Sequence, residues 1–218
     1  MEKQNTPSRM FNLLVVDMSG SMYVIRQQAF AGLNETLTTV QAMQQAHPEM
    51  EQRVTLLTFN SNRTSFVYDN AAASDIRQLP AEAYQPAAAT PLYDAIGRGI
   101  ARISAQCKAD DHVLVTIITD GEENCSREYN LTMVRNLIDK LKTQNWTFTF
   151  IGTDNLDVEG MSAGLGITNH LSFKQDAACT NAMFEADRDA RVRYCKRAVK
   201  CDDMTDYNYF ENDSVEEK

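Results

Sequence analysis

Phe11–Met22 reads FNLLVVDMSGSM, and this stretch decides the fold. Leu13, Leu14, Val15 and Val16 form an unbroken apolar run, as in a strand buried on both faces. The run stops at Asp17, and the following residues supply a glycine and two hydroxyls, Ser19 and Ser21. A strand of this kind delivers a carboxylate and hydroxyls to the carboxyl edge of a sheet, where open α/β sheets hold their ligands. One charge and two neutral oxygens suit a hard cation, Mg²⁺ or Mn²⁺, better than zinc or copper.

Outward from this strand, apolar runs and helical periods alternate. Residues 25–46 carry Ala29, Leu33, Leu37, Val40 and Met43 near helical spacing, and His47-Pro48 stops the helix. Residues 54–59 read as a second strand, Asn60-Ser61-Asn62 as a turn, and 64–68 as an antiparallel return strand. A short helix capped by Ser74 is expected over 74–79. Pro91 suits the first turn of a helix running to about Cys107, with Thr90 as a possible N-cap. Residues 113–119, VLVTIIT, form a buried strand that ends on Asp120-Gly121. Helices over 132–142, 158–163 and 176–199 then alternate with strands over 146–151 and 170–173. This order predicts a Rossmann-like three-layer α/β/α fold whose mostly parallel sheet has one antiparallel edge strand.

The 218 residues suffice for one large domain, placed over 1–201, followed by an acidic tail over 202–218. The tail carries a net −6 of the formal −9, so the body is nearly balanced and nucleic acid is disfavoured as a partner. Tyr207, Tyr209 and Phe210 are the tail residues able to dock. No apolar run reaches membrane-spanning length, and the polar start MEKQNTPSRM lacks a secretory apolar segment. The five cysteines are odd in number and lack C-x-x-C spacing, which points to reduced thiols in a cytoplasmic compartment.

Three loops combine into a candidate site. Asp17, Ser19 and Ser21 come from the first, Thr90 from the start of the helix near 91, and Asp120 from the end of strand 113–119. A parallel sheet puts the first and third loops on one edge, within reach of the second. In this order and spacing the chain resembles the von Willebrand factor A domain family over roughly residues 12–173, with all five positions of its metal-ion-dependent adhesion site: DMSGS, the threonine of ATPLYDAI and the aspartate of IITDGEEN.

The resemblance implies direct coordination of Mg²⁺ or Mn²⁺ by Ser19, Ser21 and Thr90, with Asp17 and Asp120 often acting through water. It implies a non-catalytic module whose protein partner presents Asp or Glu to an open coordination position. It also implies an adaptor role in an intracellular complex, for example beside an ATPase. The alternative is a metal-dependent phosphohydrolase with Asp17 as nucleophile. Phosphatases of the haloacid-dehalogenase type place an acid two residues on, where Ser19 stands here and serves poorly as a general acid.

Other polar groups read as ordinary surface. Glu122, Glu123 and Asn124 suggest a solvated acidic loop, and Cys125 an inert thiol. Arg188, Arg191, Arg193, Lys196, Arg197 and Lys200 suggest a solvated basic helix face.

Overall fold

In the computed structural model, described over residues 8–200, 204 and 207–211, the elements follow the expected alternation. They are β1 (Ser8–Asp17), α1 (Arg26–Ala46), β2 (Met50–Asn60), β3 (Arg63–Ala72), α2 (Leu92–Ser104), β4 (His112–Thr119), α3 (Leu131–Leu141), β5 (Trp146–Thr153), α4 (Val158–Gly164), β6 (Asn169–Phe173) and α5 (Ala177–Val199). The sheet runs β3-β2-β1-β4-β5-β6, with β2–β3 antiparallel and the other pairs parallel.

The alternating side chains of β1 divide the core. Met10, Leu14 and Val16 pack with Leu33 and Leu37 of α1 and with Phe184 and Tyr194 of α5. Phe11, Leu13 and Val15 pack on the other face with Ile96 and Ile100 of α2 and Ile138 of α3. Helices thus cover both faces, as a parallel sheet requires. Gly32 lets α1 approach α5: a Cβ there would stand 2.1 Å from the Phe184 ring.

Two expectations are corrected. The helix over 74–79 is a single 3-10 turn, Ala73–Asp75, after which Ile76 is extended. Side chains of α1 take the backbone groups that a helix would have used. Gln41 Nε2 donates to the carbonyls of Ala73 and Ile76, and the Leu79 N–H donates to Asn34 Oδ1.

The second correction concerns the basic helix face. Arg191 is fully buried and forms an ion pair at 3.0 Å with buried Asp187, one turn earlier on α5. It also donates to Asn12 Oδ1 of β1 at 3.1 Å and to Thr116 Oγ1 of β4 at 2.8 Å. Burial opposes the guanidinium charge, and Asp187 outweighs that penalty, so the pKa rises above its ordinary value. The Tyr209 hydroxyl donates to Asp187 Oδ1 at 2.9 Å, and its backbone N–H donates to Asn169 Oδ1 at 2.8 Å.

Met204, Tyr207 and Tyr209 are buried in the α1–α5 half of the core. The boundary at 201/202 and the acids Asp202, Asp203, Asp206, Asp213, Glu216 and Glu217 lie outside the described residues; Glu211 is exposed.

Candidate functional site

After β1 the chain builds the sheet on one side through β2 and β3, then crosses to the other side of β1 with β4. The reversal lies between β1 and β4, and Asp17 and Asp120 stand at their carboxyl ends. Open α/β sheets form ligand crevices at such a point.

Asp17 is fully buried. Its Oδ1 accepts from the Ser19 backbone N–H at 2.6 Å, and its Oδ2 accepts from Thr119 Oγ1 at 2.6 Å. Ser19 Oγ lies 3.2 Å from Ser21 Oγ. Ser21 Oγ donates to Asp120 Oδ1 at 2.6 Å, which joins the first and third loops. Thr90 is buried beside them: a Cβ added at Gly121 would stand 2.8 Å from Thr90 Oγ1 and 3.5 Å from Asp17 Oδ2. Only glycine after Asp120 leaves that space open. All five residues read from the sequence therefore meet at one edge.

Burial perturbs both carboxylates of the site. Burial raises the Asp17 pKa from its ordinary 3.8 to about 6, against the hydrogen bonds from Thr119 and Ser19, and Asp120 adds to the rise. Burial also raises the Asp120 pKa, against donors from Ser21 and Gln175. Among the described residues no Lys, Arg or His forms an ion pair with either carboxylate, and no three His, Cys, Asp or Glu converge on a metal position. A borderline thiolate or imidazole metal thus has no cage here. The donor set of two carboxylates and three hydroxyls fits a hard cation, whose charge would offset that of the buried carboxylates.

Several contributors are not apparent from the motif. Thr119 and Gln175 hold the two carboxylates; Gln175 Nε2 donates to Asp120 Oδ2 at 2.5 Å and to the Ser21 carbonyl at 3.3 Å. Glu123 is a helix anchor rather than part of a solvated loop. Its Oε2 accepts from the Tyr93 N–H at 2.9 Å, and its Oε1 accepts from the N–H groups of Cys125 and Ser126. Ser126 Oγ accepts from the Asp94 N–H at 3.0 Å. The first turn of α2 is thus capped by the loop after β4 and not by Thr90, because the cap position falls on Pro91. Thr90 is instead tied to that loop through Asn124: its N–H donates to Asn124 Oδ1 at 3.0 Å, and its carbonyl accepts from the Asn124 N–H at 3.2 Å.

The surroundings are mixed. Tyr23 and Val24, which follow Ser21 across the buried Met22, are 67% and 69% exposed and set two adjacent large side chains at the rim of the site. Cys125 keeps its proton, its pKa raised first by burial and then by Glu123 and Asp94.

No protein-family model matches the chain, and no curated protein matches its sequence. Solved structures do. The pilus adhesin SpaC from Lactobacillus rhamnosus GG, in its open conformation, aligns with a TM-score of 0.63 at 15% identity, over 91% of this chain and 31% of the adhesin. The chain therefore spans about a third of that protein's length. The vWF domain of the type V pili tip protein Mfa5 from Porphyromonas gingivalis gives 0.55 at 10% identity, over 83% of this chain and 95% of that domain. The VWA domain of SpRpn10 gives 0.56 at 12% identity with the same coverage. The chain has a von Willebrand factor A-like fold: three α/β/α layers around a mostly parallel six-stranded sheet with one antiparallel edge pair.

Proposed function

We propose that this protein is a non-catalytic, Mg²⁺-dependent protein-interaction module that binds a partner's Asp or Glu carboxylate at Asp17, Ser19, Ser21, Thr90 and Asp120. The observation that carries the reading is the convergence of these oxygens around two buried carboxylates that no cationic side chain balances. When bound, Mg²⁺ or Mn²⁺ supplies positive charge that hydroxyl ligands leave incompletely neutralised, and so attracts a further carboxylate. The residues of the chain do the rest. Thr119 and the Ser19 N–H orient Asp17, Ser21 and Gln175 orient Asp120, and the exposed Tyr23 and Val24 offer the partner an apolar contact.

The same geometry weakens the phosphohydrolase alternative. Both oxygens of Asp17 are occupied by hydrogen bonds within a buried site, which blunts it as a nucleophile, and Ser19 sits where a proton donor would be needed. The neighbours described as pilus adhesins and tip proteins fit an interaction role. The adaptor role beside an ATPase rests on analogy of fold. The described cysteines, Cys107, Cys125, Cys179 and Cys195, are free thiols, and the odd count of five without C-x-x-C spacing is the basis on which we place the protein in the cytoplasm. No helix among the described residues is long and apolar enough to cross a membrane.

Isothermal titration of wild type and Asp17→Ala with Mg²⁺ and Mn²⁺ tests the metal site, and retention of proteins in Mg²⁺ with release by EDTA tests the interaction. Saturable binding in wild type and none in Asp17→Ala is expected. Absence of binding by wild type at millimolar metal would reject the site.

A further inference from the structure

The turn after β2, the start of α2 and the loop after β4 border an open polar cleft of about 420 Å³ beside the five-oxygen site. Arg63, Arg98 and Arg127 line it. The Ser61 N–H donates to the Ala89 carbonyl at 2.8 Å, and the Ala89 N–H donates to Ser61 Oγ at 3.1 Å. The turn that carries Arg63 is thereby fixed to the residue before Thr90. Arg127 stands on the same loop as Asp120, and its backbone N–H is held by Asp94 Oδ2 at 2.9 Å. Cleft and site therefore share two loops.

The charges of the cleft are only partly matched. Glu128 pairs with Arg98 through bonds of 2.9 and 2.6 Å. Asp94 is turned inward and accepts the N–H groups of Arg127, Glu128 and Tyr129; burial disfavours its charge, but these donors prevail and lower its pKa. Among the described residues, the Arg63 guanidinium reaches only the Ser65 hydroxyl, at 3.3 Å. The Arg127 guanidinium has no hydrogen-bonded or ion-paired carboxylate among the described residues. On a chain of formal charge −9, these arginines are not overflow from a basic surface. The same net charge repels an extended polyanion such as nucleic acid far more than it repels a single acidic side chain seated between the arginines of this open cleft.

We propose that the cleft takes a second acidic side chain of the same peptide partner, so that the protein recognises a pair of acids: one directed to the metal-ligand oxygens, the other held by Arg63 and Arg127. This rests on the carboxylate-binding reading above.

The probe is a library of synthetic decapeptides with one fixed aspartate and all other positions varied, screened on the full chain in MgCl₂ and in EDTA. Wild type retains in Mg²⁺ peptides with Asp or Glu at a second position, about three- to tenfold tighter than their alanine counterparts, as for a few partly exposed charge pairs. The Arg63→Ala/Arg127→Ala variant loses this preference while its Mg²⁺ titration and circular dichroism stay those of wild type. Both arginines are exposed, so the fold does not depend on them. The cleft assignment is overturned if wild type shows no second-acid preference, if the double variant keeps it, if no peptide is retained, or if a single-stranded oligonucleotide outcompetes the diacidic peptides. Retention of the same diacidic peptides in EDTA would instead reject the metal reading and leave the cleft in place.

Discussion

Two groups of buried polar side chains lie on β1 and β4, and they differ in one respect. Around Arg191, on the α5 face, a guanidinium meets Asp187, Asn12 and Thr116, and the charges balance. Around Asp17, at the sheet edge, two carboxylates meet only neutral donors. The first group is complete within the chain. The second lacks positive charge. Balance fits a structural cluster wholly hidden from water, and imbalance fits the proposed binding site, whose carboxylates are buried but whose Ser21 is exposed.

The largest test of this contrast removes Arg191. Arg191→Ala leaves Asp187 buried and unpaired and should cost roughly 3–5 kcal/mol in urea denaturation at pH 7. Replacing both partners by apolar residues, Arg191→Met with Asp187→Leu, should be far less harmful, because no lone charge remains. A loss under about 1 kcal/mol for Arg191→Ala would dissolve the contrast, since ordinary surface changes cost no more.

At the edge the sign reverses. The Asp17 pKa is raised in the fold, so its contribution is fully favourable below its unfolded value near 3.8 and is lost as pH rises through about 6. In EDTA, wild type should therefore lose stability relative to Asp17→Asn between pH 4 and 7, by on the order of 3 kcal/mol. Parallel pH profiles for the two proteins would show that Asp17 carries no such penalty. Added Mg²⁺ should oppose it, stabilising wild type by about 2.7 kcal/mol at a hundredfold excess over Kd and leaving Asp17→Ala unmoved in thermal melts.

Smaller effects separate the α2 anchor from the proposed metal ligand. Glu123→Ala should cost about 1 kcal/mol, the usual loss of a helix cap, since it frees the Tyr93 N–H. Thr90→Ala should change metal-free stability by less than about 0.5 kcal/mol while weakening Mg²⁺ binding in titration, because its hydroxyl does not cap α2. Equal destabilisation by both would return Thr90 to the role of a cap.

The sheet and the five edge residues were legible because each sits where a strong local signal ends: an apolar run stopping at Asp17, a β-branched run stopping before Asp120, and a proline after Thr90. Arg191 was hidden by composition, since it stands among exposed bases. Its position was recoverable, because Thr180, Phe184, Asp187, Arg191, Tyr194 and Ala198 recur at three- and four-residue intervals on the buried stripe of α5. Asn12 offered a parallel hint, as a lone amide on a strand otherwise apolar through Val16. Glu123 and Gln175 offered none. The partners that make them matter, Tyr93 and Asp120, lie 30 and 55 residues away, so only the closed fold brings them together. The expected helix over 74–79 failed for the same reason, its backbone being claimed by Gln41 and Asn34 of α1.

Tyr209 also has a consequence in time. A ribosome releases the chain from its amino-terminal side, and the strands and helices through α5 precede this tyrosine. Until it emerges, Asp187 lacks its phenolic donor and Asn169 lacks the N–H that it accepts. Domains begin to fold during synthesis from their amino-terminal side. Here the sheet can assemble early, but the last polar contacts of its α5 layer close only after the residues beyond α5 have followed it out.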